Sequence, residues 1–189
     1  MDQIISSVGL AKSFGYMTER EVRLLQLASA LHSEPKNGKQ PIFVNVGAGA
    51  GTSALAMREA APDVYIYSVD ISSGGPLGGF DGETNAFEDA GLTKPFQILG
   101  DSRRVAATWD KDEIELLFID DGHLEHEIRG DIEGWLPHVA YGGIVLFHDY
   151  GTEHWPAVKQ VVDELMADYL YVGRVDTLAA YEVNYVRPD

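Results

Sequence analysis

The chain has 189 residues, 45% of them hydrophobic, which is enough for one well-formed core and too few for two ordinary domains. Its 14 Lys and Arg stand against 30 Asp and Glu, a formal charge of -16 that argues against nucleic acid and anionic membrane as partners. With no cysteine, a disulfide framework, thiolate metal ligands and cysteine nucleophile chemistry are all excluded. No apolar run reaches the length of about 18 residues that a membrane span needs. The start Met1-Asp2-Gln3-Ile4-Ile5 lacks the charged and apolar regions of a signal peptide, so a cytoplasmic protein is expected.

In chain order, Thr18-Glu19-Arg20-Glu21 has the capping-box pattern and predicts a helix whose Val22, Leu25, Leu27, Ala28 and Leu31 form an apolar face. The stretch 33–41, with Pro35, Asn37, Gly38 and Pro41, is polar and rich in turn residues. Residues 1–40 therefore read as an N-terminal helical cap beside the sheet, an appendage or lid, and 41–189 as the core of one domain. The runs 42–46, 64–69, 96–99, 114–119 and 144–147 read as buried strands, with helix-like segments between them, among them 52–61 and 125–135. Such alternation predicts an α/β fold with a mostly parallel sheet and helices on both faces. After the fifth strand, 155–166 reads as a helix. Residues 169–175 and 179–186 follow as two strands joined by Asp176-Thr177-Leu178, a connection that allows only antiparallel pairing. The glycine-rich stretch 72–82 predicts a loop above the carboxyl ends of strands 2 and 3, placed with Gly15-Tyr16-Met17 to close over a site.

The turn Asn45-Val46-Gly47-Ala48-Gly49-Ala50-Gly51 follows a buried strand and opens a helix, where free N–H groups and the positive dipole end receive an anionic group. Alone, it marks only a strand bending sharply into a helix. Asp70, at the end of strand 2, stands where nucleoside-binding folds place the acid that accepts from ribose hydroxyls. The spacing Gly47-x-Gly49-x-Gly51, with Thr52 where a dinucleotide fingerprint wants Gly or Ala, suits an adenosyl amino acid better than a pyrophosphate.

Strand 4 ends in Phe118-Ile119-Asp120-Asp121-Gly122-His123 and strand 5 in Leu146-Phe147-His148-Asp149-Tyr150, so two polar clusters emerge where open α/β sheets bind ligands. Asp120 and Asp149 are hard oxygen ligands suited to Mg²⁺, and His148 adds a nitrogen that shifts preference toward Mn²⁺ or other transition ions. His123 is a candidate general base. The plainer alternative makes these residues loop caps and hydrogen-bonding supports.

Taken together, the order of elements, the turn, Asp70, the segment Gly100-Asp101-Ser102 and the terminal strand pair resemble the class I S-adenosylmethionine-dependent methyltransferases over residues 40–187. The resemblance implies a Rossmann-like, seven-stranded, mostly parallel sheet with an antiparallel last strand. It implies S-adenosyl-L-methionine as cofactor, with Asn45, Gly47, Ala48, Gly49 and Ser53 at its methionine end, Asp70 and Ile71 at the ribose, and Asp101 and Ser102 flanking the adenine. Asn45 departs from the acidic residue the family often carries.

Residues 118–131 further resemble the metal-dependent O-methyltransferases of the catechol and antibiotic-sugar types, whose pattern in the second group runs Phe-Ile-Asp-Gly-x-His. This resemblance implies a divalent cation, Mg²⁺ or Mn²⁺, on Asp120, His148 and Asp149, with Asp120 also beside the cofactor and His123 as base. Asp121 stands where that pattern has glycine, and Glu125-His126 where tyrosine then glutamate are usual. The expected reaction is methyl transfer to a hydroxyl of a small molecule, at a site that a homo-oligomeric partner could complete. A metal-independent methyltransferase acting on another nucleophile, a nicotinamide-dependent oxidoreductase and a non-catalytic nucleotide-binding module stay open as alternatives.

Overall fold

The computed structural model describes residues 16–74 and 79–184. Parts of three expectations lie outside the described residues: 1–15 of the cap, 75–78 of the glycine-rich loop and 185–186 of the last strand.

Helix α1 spans Glu19–Leu31, and its capping box forms as the sequence predicts. The Thr18 hydroxyl accepts from the Glu21 N–H, and the Glu21 carboxylate accepts from the Thr18 N–H at 2.7 Å. Its apolar face differs from the expected one. Val22, Leu25 and Ala28 are buried, but so are Gln26 and Ser29, whereas Leu27 and Leu31 are exposed. Apolar periodicity misses a stripe that contains polar residues with hydrogen-bond partners inside the fold. The Ser29 hydroxyl donates to the Leu25 carbonyl, and the Gln26 amide donates to Glu59.

Seven strands follow: β1 Ile42–Val46, β2 Tyr65–Asp70, β3 Phe96–Leu99, β4 Ile114–Ile119, β5 Val139–Phe147, β6 Leu170–Val175 and β7 Leu178–Glu182. They form one sheet in the order β3-β2-β1-β4-β5-β7-β6. The pairs from β3 to β5 are parallel, and β7 runs antiparallel to both β5 and β6. The mostly parallel sheet with a terminal antiparallel element is thus the one expected. β5 is longer than the apolar run 144–147. Val139 already pairs with Ile114, and the chain bulges through Gly142, at φ 77°, before pairing resumes between Ile144 and Leu116. The glycines that permit the bulge also interrupt the apolar pattern.

Helices α2 Thr52–Ala60, α3 Phe80–Ala90, α4 Ser102–Ala107, α5 Glu125–Trp135 and α6 Pro156–Leu165 alternate with the strands. Along β1 the side chains alternate between two layers. Phe43 joins Ile66, Leu116 and Leu146 under α1 and α2, while Val44 joins Leu117, Val145 and Phe147 under α4, α5 and α6. α1 therefore shares one apolar layer with α2. Since β1 and β4 are buried at every position, their polar continuations are pushed to the carboxyl edge of the sheet. No helix among the described residues is long and apolar enough to cross a membrane.

Candidate active site

The parallel ladder runs one residue past β1, β4 and β5: the N–H groups of Gly47, Asp120 and His148 donate to the carbonyls of Val69, Val46 and Ile119. These three residues consequently leave the sheet at one edge, at the switch point where β1 is flanked by β2 and β4.

Gly47, Gly49 and Gly51 have φ of 92°, 49° and 85°, a region that L side chains avoid. A Cβ on Gly47 would lie 2.1 Å from the Asp120 carbonyl oxygen, and one on Gly51 would lie 2.8 Å from Cα of Glu83. At Gly49 nothing among the described residues beyond its chain neighbours stands within 4 Å of such a Cβ. Packing therefore demands glycine at 47 and 51, whereas Gly49 leaves open room. Beneath the turn, Asn45 is fully buried. Its carbonyl accepts from the Ser53 hydroxyl at 2.8 Å, and its amide donates to the Gly47 carbonyl at 3.1 Å. Asn45 and Ser53 thus brace the turn from inside and do not line the cavity above it.

That cavity has a volume of about 770 Å³. On one side it is lined by Gly47, Gly49 and Asp70, and on the other by Asp120, His123, His148 and Asp149. Asp70 accepts from the Ala48 N–H at 2.8 Å and from the Ser72 N–H at 2.7 Å, so it holds the turn while each oxygen keeps a lone pair for a ligand hydroxyl.

On the second side, a carboxylate oxygen of Asp120, one of Asp149 and an imidazole nitrogen of His123 lie within 4.8 Å of one another. Nε2 of His123 is 2.7 Å from Asp149 Oδ2, and the ring stacks on Trp155 with centroids 4.4 Å apart. The hydrogen bond to Asp149 raises the proton affinity of His123, against the opposing effect of burial. Asp149 has φ 57°, an uncommon conformation that Asp tolerates better than most residues, and it turns the chain out of β5 at this point. His148 is more deeply buried, 7% exposed. Its Nδ1 lies 3.3 Å from Asp120 and 3.5 Å from Asp149, and its Nε2 lies 3.5 Å from Glu21. These are ion pairs without formed hydrogen bonds. Burial opposes charge on the ring, but the three carboxylates outweigh it and hold His148 as an imidazolium.

Two carboxylates and one imidazole, each 22% to 30% exposed at the side chain, make a donor set that suits a divalent cation completed by solvent or substrate oxygens. The expected set was Asp120, His148 and Asp149. The geometry adds His123 to the two acids, and His148 would have to lose its proton to act as a ligand.

Ile71, Asp101 and Ser102 line a smaller pocket of about 120 Å³, which shares the lining residue Asp121 with the main cavity. Asp101 is gripped by the Arg103 guanidinium, which brings its carboxyl down to about 2. Ser102 is buried and accepts from the Trp135 indole at 2.7 Å. Burial pushes Asp131 up to about 7, and burial with the neighbouring Asp70, Glu127 and Asp120 carboxylates pushes Asp121 up to about 6.

Sequence reasoning missed Glu21 and Trp155 as site residues. Glu21 carries a capping-box signal that accounts for it locally, and Trp155 sits at a helix start with no motif around it. Both line the cavity.

A family model described as a methyltransferase domain matches residues 44–150. An uncharacterized protein of Sinorhizobium fredii is 31% identical over 120 residues, which is 60% of this chain and 13% of that protein. The chain thus spans a small part of the curated relative it matches. Among solved structures, the SAH-bound methyltransferase PaMTH1 of Podospora anserina aligns with a TM-score of 0.70 and 16% identity, covering 97% of this chain and 88% of its own. The O-methyltransferase TomG of Streptomyces achromogenes, involved in tomaymycin synthesis and solved in complex with SAM, aligns with a TM-score of 0.69 and 13% identity, covering 98% and 91%. At these identities the likeness is one of fold.

Proposed function

Because the chain belongs to the methyltransferase domain family, we propose that it transfers the methyl group of S-adenosylmethionine to a hydroxyl oxygen of a small molecule, with a divalent cation assisting. One observation carries this reading: a single cavity brings the glycine turn and Asp70 face to face with Asp120, His123 and Asp149. Solved structures of the same fold include O-methyltransferases, one of them in complex with SAM.

In this reading the open room at Gly49 and the N–H groups of the turn receive the amino-acid end of the cofactor, and Asp70 accepts from the ribose hydroxyls. The cofactor would supply an already activated methyl group, and Asp120 and Asp149 would hold a cation whose charge would lower the pKa of the acceptor hydroxyl. In this reading His123 stays off the cation: with Nε2 held by Asp149, its other ring nitrogen takes the hydroxyl proton, and Asp149 stabilises the imidazolium that forms. The acceptor oxygen forms a bond to the methyl carbon as the carbon–sulfur bond breaks, and the electron pair stays on sulfur, which becomes a neutral thioether. Most of the acceleration comes from holding oxygen, carbon and sulfur in line. His148, charged beneath the two acids, keeps them fixed and offsets their repulsion.

That buried imidazolium also favours a second reading, transfer without a metal, in which His148 alone balances Asp120 and Asp149. Calorimetric titration with S-adenosylhomocysteine, paired with Mn²⁺ binding followed by electron paramagnetic resonance, tests both readings. The metal-assisted reading expects both ligands to bind. Cofactor binding without Mn²⁺ binding leaves the metal-free reading, and a failure to bind S-adenosylhomocysteine overturns both.

A further inference from the structure

We propose that Asp121 selects the cofactor by accepting a hydrogen bond from the 6-amino group of its adenine ring; the inference rests on the cofactor reading above. Asp121 is half-buried and lines both the 770 Å³ cavity and the 120 Å³ pocket. A ligand that runs from the glycine turn past Asp70 into the smaller pocket therefore passes it.

The other carboxyl groups around the smaller pocket are engaged or buried. Asp101 holds the Arg103 guanidinium, Glu127 accepts from the Leu124 N–H, and Asp131 is only 3% exposed. Arg103 is thereby engaged as well. Unlike Asp101 and Glu127, Asp121 accepts no hydrogen bond from the described residues, and its backbone leaves β4 directly behind Gly47, whose missing Cβ would lie 3.3 Å from the Asp121 amide nitrogen. An acceptor left open beside an exposed apolar residue, Ile71, fits a flat heterocycle that carries a donor on its edge. The ribose hydroxyls already have an acceptor in Asp70, which leaves the exocyclic amine as the donor for Asp121.

The test is a double-mutant cycle by calorimetry at pH 8, with wild type and Asp121→Ala each titrated with S-adenosylhomocysteine and with its 6-deamino purine analogue. The expected result is that wild type binds the analogue at least about tenfold more weakly, while Asp121→Ala loses about as much affinity for S-adenosylhomocysteine and none for the analogue. Asp121→Asn, which keeps the shape and an acceptor oxygen, retains part of the preference and guards against a folding artefact. Equal wild-type affinity for the two ligands overturns the inference, as does a variant that loses affinity for both equally, since the contact would then lie elsewhere on the ligand. If wild type binds neither ligand, the cofactor reading itself falls, an outcome distinct from lost discrimination.

Discussion

The carboxylate of Glu21, in the first turn of α1, lies 3.5 Å from Nε2 of His148 at the end of β5. It also accepts from the Thr177 N–H at 2.7 Å, the Thr177 hydroxyl at 2.6 Å and the Thr18 N–H at 2.7 Å, so one buried side chain joins α1, the β6–β7 turn and the site. Glu21→Ala strands those donors and the buried imidazolium together, at a cost of about 3 kcal/mol. Thermal melting should show a midpoint lower by roughly 6–12 °C. A midpoint shift below about 2 °C would mean that the junction contributes little.

Gly47 and Gly49 should respond differently to the same substitution. Gly47→Ala forces a Cβ onto the Asp120 carbonyl in a left-handed conformation, and a strongly destabilised protein is expected. Gly49→Ala meets no described residue beyond its chain neighbours within 4 Å and costs the backbone strain of about 1–2 kcal/mol. It should fold, yet bind S-adenosylhomocysteine at least about tenfold more weakly because the new methyl group enters the room left for ligand. Melting curves and calorimetry on the two variants read both effects, and unimpaired binding by Gly49→Ala would remove that residue from the cradle.

Asp120→Asn and Asp149→Asn each replace a charged oxygen ligand by a neutral one. Asn tolerates the left-handed conformation at 149, so the fold should survive. Mn²⁺ affinity should fall by at least about tenfold in either variant, with S-adenosylhomocysteine binding within about threefold of wild type. Wild-type Mn²⁺ affinity in both variants would place the cation elsewhere.

Glu59, on α2, is pushed by burial from 4.5 up to about 7, against the opposing hydrogen bond from Gln26. Its folded form prefers the proton, so this group costs nothing below about pH 4.5. Stability is lost as pH rises from there through 7, and the cost is then full. Glu59→Gln removes that cost, on the order of 2 kcal/mol at pH 8, and should raise the melting midpoint there by roughly 4–8 °C. At pH 4.5 the two proteins should melt together. A gain of the same size at both values would assign the effect to packing instead of ionisation.

Much of this architecture was legible along the chain, because the signals are local. A strand buried on both faces must be a continuous apolar run, as 42–46 and 114–119 are, and a helix start must satisfy its own amides, as Thr18 and Glu21 do. The glycine turn was legible for the same reason, and so was the emergence of Asp120, His123, His148 and Asp149 at one edge of the sheet. β5 was read too short because Gly142 and Gly143 break its pattern.

The amino-acid sequence by itself determined the α/β order, the glycine turn and the acids that end β2, β4 and β5, since each follows from periodicity or from backbone needs within a few residues. Only the tertiary structure decided which side chains meet. It turned Asn45 inward onto Ser53, brought Glu21 from α1 against His148, gathered His123 with Asp120 and Asp149, and left Asp121, between two pockets, with no hydrogen-bond donor among the described residues. The reason is that a polar side chain takes its role from the donors and acceptors around it, and at this edge those come from elements far apart in the chain.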